Sequence, residues 1–334
     1  MKIEFFGVRP EEKSYLEGKI PVDCSFSADI ISPEKLPDQS QSDGLCVFID
    51  STVNGAVMDR FPNLKFIATR STGYDHIDLA EAKKRGIAVS TVPSYGENTV
   101  AEFAFGLILA LSRKIYSAAD QVKETGSFAI EGLRGFDLLG KTIGVIGTGR
   151  IGRHSIKIAK GFGMDVIAYD PFPNEASAKE LGFKYVSMDQ LLKDSDIVTL
   201  HVPYSKETHH LIDAGALSKM KPTSIIINTS RGGIIDTDAL TNALRDKKIA
   251  GAGLDVLEEE GAVKDEVAFL EKNHPDAAEL RTILEDDALE RMPNVIVTPH
   301  IAFNTDEGLR RILDTTIENI KAFADGKPTN LVGA

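Results

Sequence analysis

Lys141-Thr142-Ile143-Gly144-Val145-Ile146-Gly147-Thr148-Gly149-Arg150-Ile151-Gly152 sets three glycines in the G-x-G-x-x-G spacing directly after an apolar run. About eighteen residues later, Val166-Ile167-Ala168-Tyr169-Asp170 ends a second apolar run on an acid. Between them, Ile151, Ile156, Ile158, Ala159 and Phe162 recur at helical spacing. The order is strand, turn, helix, strand, carboxylate, which is that of a dinucleotide-binding unit. In it Gly147 permits the tight turn, Gly149 lets the backbone approach a diphosphate, and Gly152 lets the helix pack closely on its strand. The diphosphate is expected at the positive end of that helix, on unpaired N–H groups. Asp170 would accept hydrogen bonds from the adenosine ribose hydroxyls and repel a 2′-phosphate, so the cofactor expected is NAD, not NADP.

Working outward, the 334 residues suffice for two ordinary domains, each with its own core. A net charge of -12 argues against nucleic acid or an anionic membrane as a partner. An anionic substrate therefore needs a local cation. Two cysteines, Cys24 and Cys46, build no disulfide framework and lack zinc-ligand spacing, which points to a cytoplasmic setting. His209 and His210 are adjacent and so do not share a helix face, and no metal is expected. Residues 1–8 lack a basic leader and read as a first strand rather than a signal peptide, and no apolar segment reaches membrane-spanning length.

Strand-like runs at 3–6, 45–49, 64–69 and 87–90 are interspersed with helical patterns at 54–61 and 78–85. Further strands are expected at 166–170, 197–201, 224–228, 250–255 and 294–297. Alternation of this kind predicts an α/β protein of two doubly wound parallel-sheet domains. One is a flavodoxin-like substrate domain, residues 1–98 and 301–334; the other is a Rossmann NAD-binding domain, residues 99–300, inserted into it. The helix over 305–324 is amphipathic and is expected to return to the first domain. The helix over 99–112 is apolar nearly all round, so it should be buried between the domains or against a second subunit, suggesting a homodimer. Two lobes, one carrying coenzyme and the other much of the substrate site, imply a cleft that closes.

Ligands collect at the carboxyl ends of such strands. Arg70-Ser71-Thr72-Gly73-Tyr74 follows one strand and reads as an anion cradle or an ordinary turn. His201-Val202-Pro203-Tyr204, with Thr208, follows another; it reads as a ribose or phosphate contact, or as a stiff loop with a structural histidine. Asn228-Thr229-Ser230-Arg231-Gly232-Gly233 delivers an arginine to a strand tip, with glycines giving a ligand close approach. A guanidinium grips a carboxylate through two parallel hydrogen bonds, though a surface ion pair is the plainer alternative. The acid run Glu258-Glu259-Glu260 follows Asp255; for its first two residues a solvated surface is the preferred reading. His300 comes directly after a buried strand and Pro299, and so projects from a rigid point. Arginine, acid and histidine at strand tips of one sheet form a catalytic constellation.

Gly-Thr-Gly-Arg-Ile-Gly, Asn-Thr-Ser-Arg-Gly-Gly, Gly-Leu-Asp-Val and Thr-Pro-His-Ile-Ala together resemble the D-isomer-specific 2-hydroxyacid dehydrogenases, in the order of that family and over almost the whole chain. Within it the chain is most similar to the D-lactate dehydrogenase group. The segment between Glu260 and Pro293 is long, and Ile-Ala-Phe-Asn-Thr follows His300. The resemblance implies that Arg231 orients the substrate, His300 is the acid-base group and Glu260 pairs with it. It implies a coenzyme set of Gly147, Gly149, Arg150, Ile151, Gly152, Asp170, His201, Val202, Pro203, Thr208, Thr229, Ser230, Arg231, Asp255, His300 and Ala302. Asp255, Thr229 and Ser230 would face the nicotinamide and its ribose. Thr72 and Gly73 would offer N–H groups to the carboxylate, while Phe48, Tyr95 and Phe303 would shape the side-chain pocket. Phe48 stands where lactate enzymes often carry tyrosine.

The expected reaction is reduction of pyruvate or a similar small 2-keto acid by NADH. Hydride arrives at the keto carbon while histidinium protonates the developing alkoxide, and a neighbouring glutamate favours the charged imidazole. Reduction of glyoxylate, hydroxypyruvate or an aromatic 2-keto acid is the alternative within the family. An NADH-sensing, corepressor-like binding protein is the alternative from another class, and the complete Arg231, Glu260 and His300 set weighs against it.

Overall fold

The structure, a computed structural model, describes residues 1–258 and 277–333. They divide into two compact units, Met1–Tyr95 with Asn304–Ala334, and Gly96–Phe303. The first is built on β1 (Lys2–Phe5), β2 (Asp23–Phe26), β3 (Gly44–Val47), β4 (Phe66–Thr69) and β5 (Ala88–Ser90). All pair in parallel in the order β2-β1-β3-β4-β5, which is the flavodoxin-like order. β3 and β4 are buried at every residue, as parallel strands covered on both faces must be. The helices that follow β3 and β4 begin on side-chain caps: Asn54 accepts from the N–H groups of Ala56 and Val57, and Asp78 from that of Glu81.

The second sheet holds β6 (Thr142–Ile146), β7 (Asp165–Tyr169), β8 (Lys184–Tyr185), β9 (Ile197–Leu200), β10 (Ile225–Asn228), β11 (Gly251–Leu254) and β12 (Val295–Val297). It is parallel throughout, in the order β12-β11-β10-β9-β6-β7-β8. Counted from β6, this is the doubly wound Rossmann order with one strand added at the β12 edge. The direction of winding reverses between β6 and β9. Loops leaving adjacent strands there diverge to opposite faces and open a crevice.

The apolar helix foreseen over 99–112 runs from Glu97 to Ser112. It needs neither the other unit nor a second chain to be buried: it packs on β10, β11, β12 and the helix Arg150–Gly161 of its own unit. Phe105 stacks on Phe162 with ring centroids 5.7 Å apart, at the end of that helix. Large apolar exposure begins one element later, with Tyr116 at 60%, Phe128 at 85%, Ile130 at 79% and Leu139 at 76%. No described helix is long and apolar enough to cross a membrane.

The helix Asp306–Ala324 lies in the first unit and packs on β4. Its apolar face places Leu313, Ile317 and Ile320 in a core with Ile3, Phe5 and Phe66. A polar tie completes the attachment. The fully buried Asn319 donates from Nδ2 to the Thr91 carbonyl at 2.8 Å, and its Oδ1 accepts from Asn330 Nδ2 at 2.7 Å. Asn319→Ala should cost about 1–3 kcal/mol, since it leaves buried partners unsatisfied. The check is the urea midpoint of the variant against wild type; an unchanged midpoint would deny the tie any part in stability.

Candidate active site

The carboxyl edge of the second sheet gathers the chemistry-bearing residues. Gly147 follows β6, Asp170 follows β7, His201 follows β9, Arg231 lies just past β10, Asp255 follows β11 and His300 comes shortly after β12. Because all these strands are parallel, the six residues leave one side of one sheet.

Each fingerprint glycine has its own steric reason. Gly147 sits at φ 92°, and a Cβ there would meet the His201 carbonyl oxygen at 2.5 Å. A Cβ on Gly152 would lie 2.0 Å from the Gly147 carbonyl oxygen, so the helix can start this close only with glycine. A Cβ on Gly149 would meet nothing within 4 Å, which leaves room for a ligand. The helix Arg150–Gly161 begins there without a side-chain cap, so its first N–H groups are available to an anion. Asp170 is drawn to this turn. Its Oδ2 accepts from Thr148 N at 2.7 Å and Thr148 Oγ1 at 2.9 Å, while Tyr185 shares a 2.7 Å contact with that hydroxyl. Thr148 and Tyr185 went unremarked in the sequence; the first lies inside the fingerprint, and the second could be found only through the pairing of β7 with β8.

Other expected coenzyme residues use their polar atoms within the protein. The His201 ring turns inward: Nε2 lies 2.9 Å from Ser155 Oγ and 3.1 Å from Thr199 Oγ1, and Nδ1 is sealed without a partner among the described residues. Only the backbone of His201 borders the glycine turn, so the structural reading of this histidine holds for its side chain. Thr208 binds its own loop, accepting from Ser205 N and donating to the Pro203 carbonyl, each at 2.7 Å. Val202 packs a methyl group toward Gly147. Ser230 Oγ donates to the Leu200 carbonyl at 2.8 Å. Thr229 differs: its buried Oγ1 has no partner among the described residues, an acceptor and donor held ready at the tip of β10.

Asp255 does not present its carboxylate to a ligand either. It is 1% exposed, and its Oδ1 accepts from Thr298 Oγ1 at 2.6 Å and Ile301 N at 3.0 Å; Oδ2 accepts from Ala302 N at 2.8 Å. Its carbonyl accepts from His300 N at 2.8 Å. Burial pushes the carboxyl upward, against those three hydrogen bonds. The chain around His300 is thereby clamped, with His300 at φ 54°, a left-handed conformation that histidine adopts at a cost. Phe303, buried, meets the imidazole edge-on with centroids 6.3 Å apart. A cavity of about 430 Å³ lies beside it, lined in part by Tyr116, Asp255, Leu257 and Thr298.

Arg231 donates from Nη1 to the Ser230 carbonyl at 2.7 Å, which ties one end of the guanidinium to the backbone at the β10 tip. The glycines that follow serve the protein rather than a ligand. A Cβ on Gly232 would fall 1.9 Å from the Leu257 carbonyl oxygen, and one on Gly233 would fall 2.9 Å from the Tyr204 ring. Glu258, expected on a solvated surface, is instead half-buried and hydrogen-bonded to His210 and Thr237. Glu260 lies outside the described residues.

In the first unit, Arg70 cannot serve an anion. It is 1% exposed, paired with Glu12 at 2.9 Å and donating to the carbonyls of Phe6 and Gly7. Its guanidinium carbon lies 5.6 Å from the centre of the Phe48 ring. In the turn after β4, Thr72 Oγ1 donates to the Val92 carbonyl at 2.6 Å, and the N–H groups of Thr72 and Gly73 donate to nothing among the described residues. The carbonyl of Tyr95 accepts from Arg311.

Comparison with known proteins shows the family. The profile of "D-isomer specific 2-hydroxyacid dehydrogenase, NAD binding domain" matches residues 105–302. The chain belongs to the D-isomer-specific 2-hydroxyacid dehydrogenases. A D-lactate dehydrogenase from Aquifex aeolicus, solved with NAD and lactic acid, superposes with a TM-score of 0.86 at 37% identity, over 97% of this chain and 96% of that one. An aromatic 2-oxoacid reductase of Clostridium sporogenes is 39% identical over 97% of this chain and 96% of its own. A glyoxylate reductase of Korarchaeum cryptofilum is 39% identical over 94% and 92%. This protein is thus an NAD-dependent oxidoreductase of 2-hydroxy acids. The open Gly149, the uncapped helix and the unpartnered Thr229 hydroxyl suit that coenzyme.

The buried imidazole of His201 generates a pH dependence of stability. Burial pushes it from an ordinary 6.5 down to about 4. The unfolded chain therefore binds a proton that the folded chain refuses. Above pH 6.5 this group contributes nothing; stability falls as pH drops from 6.5 toward 4 and the loss then levels off, at about 3 kcal/mol. Urea midpoints measured across that range should fall less steeply in His201→Gln than in wild type; equal slopes would show that the ring titrates freely when folded.

Proposed function

We propose that the protein is a D-lactate dehydrogenase, reducing pyruvate or a similarly small 2-keto acid to the D-hydroxy acid. The observation that carries this reading is the clamped, left-handed His300 on the same sheet edge as the Arg231 tip and the glycine turn. Bound NADH supplies the hydride. We assign the coenzyme diphosphate to the turn at Gly147, Gly149, Arg150, Ile151 and Gly152, and the adenosine ribose to Asp170. The Thr229 hydroxyl and the chain about Val202, Pro203 and Ala302 border the remainder.

Arg231 holds the substrate carboxylate and ketone oxygen through its fork of N–H donors, which a point charge does not reproduce. His300 gives a proton to the oxygen as negative charge develops there, and Glu260 is assigned as its partner. Asp255 acts through His300: it sets the position from which the proton is delivered. The N–H groups of Thr72 and Gly73 are assigned to the substrate carboxylate, and Phe48, Tyr95 and Phe303 to its side chain. Small apolar side chains suit such a lining. The long segment from Glu260 to Pro293 and the Phe303-Asn304-Thr305 sequence support the lactate group within the family. The homologous reductases named for aromatic 2-oxoacids and glyoxylate make these the second reading. We further propose a cytoplasmic homodimer, in which a second copy covers the apolar surface around Tyr116, Phe128, Ile130 and Leu139.

Steady-state NADH oxidation with pyruvate, 2-ketobutyrate, phenylpyruvate, glyoxylate and hydroxypyruvate decides the substrate. The highest kcat/KM is expected for pyruvate; a preference for phenylpyruvate or glyoxylate moves the protein to the second reading, and no turnover with pyruvate overturns the lactate reading. His300→Gln should lower kcat by a factor of about 10²–10⁴ while NADH affinity by fluorescence titration stays within about threefold. Unchanged kcat would remove His300 as the acid.

A further inference from the structure

The fold assembles a histidine-carboxylate cluster on loops other than the one that carries His300, from residues given no role in the reaction. His209 and His210 leave the loop after β9; Glu258 arrives from the chain after β11. His210 Nε2 lies 2.6 Å from Glu258 Oε1, and the two imidazoles stack at 3.8 Å between centroids with a 26° tilt. One ligand atom from each of His209, His210 and Glu258 lies within 4.8 Å of the others. We propose that these three residues form a site for a divalent transition-metal ion of the zinc class.

Three features make this more than chance proximity. First, the donor set is two imidazoles and a carboxylate, which suits zinc, cobalt or nickel and does not suit calcium or magnesium. Second, two of the three ligands are already oriented by a neighbour. Tyr204 Oη meets His209 Nδ1 at 3.2 Å, and Thr237 Oγ1 donates to Glu258 Oε2 at 2.9 Å, leaving Oε1 toward His210. Such outer hydrogen bonds fix the ring and carboxylate orientations that a metal site requires. Third, the backbone is committed to the arrangement. His210 lies at φ 49° and donates its N–H to the Gly233 carbonyl at 2.9 Å, which ties the imidazole pair to the glycine turn after Arg231. Ligands around a tetrahedral zinc with bonds of about 2.0–2.2 Å stand roughly 3.3 Å apart. Reaching that spacing opens the 2.6 Å His210–Glu258 pair and draws the exposed His209 ring inward from its place beside Tyr204, both by side-chain rotation. The fourth position then faces solvent, and the ion would take water there.

Purified, chelator-treated protein is titrated with ZnSO4 by calorimetry and with CoCl2 by visible absorption. The expected result is one ion per chain at micromolar affinity, with the intense visible bands of four-coordinate cobalt bound through nitrogen and oxygen. His209→Ala, at an exposed position, should weaken binding at least tenfold and leave the unfolding midpoint unchanged; Glu258→Gln should weaken it while keeping the hydrogen bond to Thr237. Absence of saturable binding overturns the proposal. So does binding that survives His209→Ala undiminished, or binding lost in Cys24→Ser instead.

Discussion

One buried carboxylate governs the geometry of the candidate site. Asp255 stands at the end of β11, and the strand beside it, β12, is only three residues long. An edge strand so short cannot by itself define the course of the chain that leaves it. Both oxygens of Asp255 supply the definition, by taking the Thr298 hydroxyl and the N–H groups of Ile301 and Ala302. A bare charge would be costly in this position, and the three donors offset that cost only if the loop keeps this one shape. His300 is held in a left-handed backbone by the same arrangement. The strain is local and the clamp is buried, so an imidazole reaches the sheet edge with little freedom in its main chain.

The parallel sheet supplies the rest. Parallel pairing forces every strand to deliver its following loop to one edge, so residues scattered from 147 to 300 in the sequence share an edge without any contact between them in sequence. Glycine then sets how closely these loops approach one another. Gly147 admits the His201 carbonyl, Gly152 admits the Gly147 carbonyl, and Gly232 admits the Leu257 carbonyl. At the first two, the strand-turn-helix context gave the reason in advance. At Gly232 it did not, because the neighbour comes from another strand tip 25 positions away.

That contrast marks what the sequence could reveal. Parallel strands buried on both faces are runs of Ile, Val and Leu, and their helices open on Asn, Asp and Ser caps, so the succession of elements was legible from local pattern. The glycine fingerprint and Asp170 were legible because their chemistry is fixed by a spacing within one βαβ unit. The burial of Glu258 was not, since its partners His210 and Thr237 lie 48 and 21 residues away, one on a loop and the other at the start of a helix. Nor was the packing of the helix Glu97–Ser112: an all-round apolar pattern announces burial, but it cannot name the cover, which proved to be the helix's own sheet. The segment 1–98 also hid the helix Pro10–Leu16 and the edge strand β2, whose alternation of exposed and half-buried residues is weak.

Three histidines that leave strand tips of one sheet show how far environment outweighs residue type. His201 is lodged between Ser155 and Thr199 with a sealed Nδ1, and burial holds it neutral. It can support a turn but cannot pass a proton, because taking one up would place an unpaired charge inside the core. His210 hydrogen-bonds a carboxylate, with a second imidazole stacked on it, so that candidate donor atoms of three residues lie within 4.8 Å of one another. His300 has a clamped main chain and a half-buried ring beside a cavity, so the imidazole is accessible while its origin is fixed. Proton transfer needs both properties together: exposure to a reacting oxygen, and a position that does not wander during the reaction. Of the three, only His300 has both, and it has them because Asp255 turns its charge toward the backbone of its neighbour and not toward the substrate.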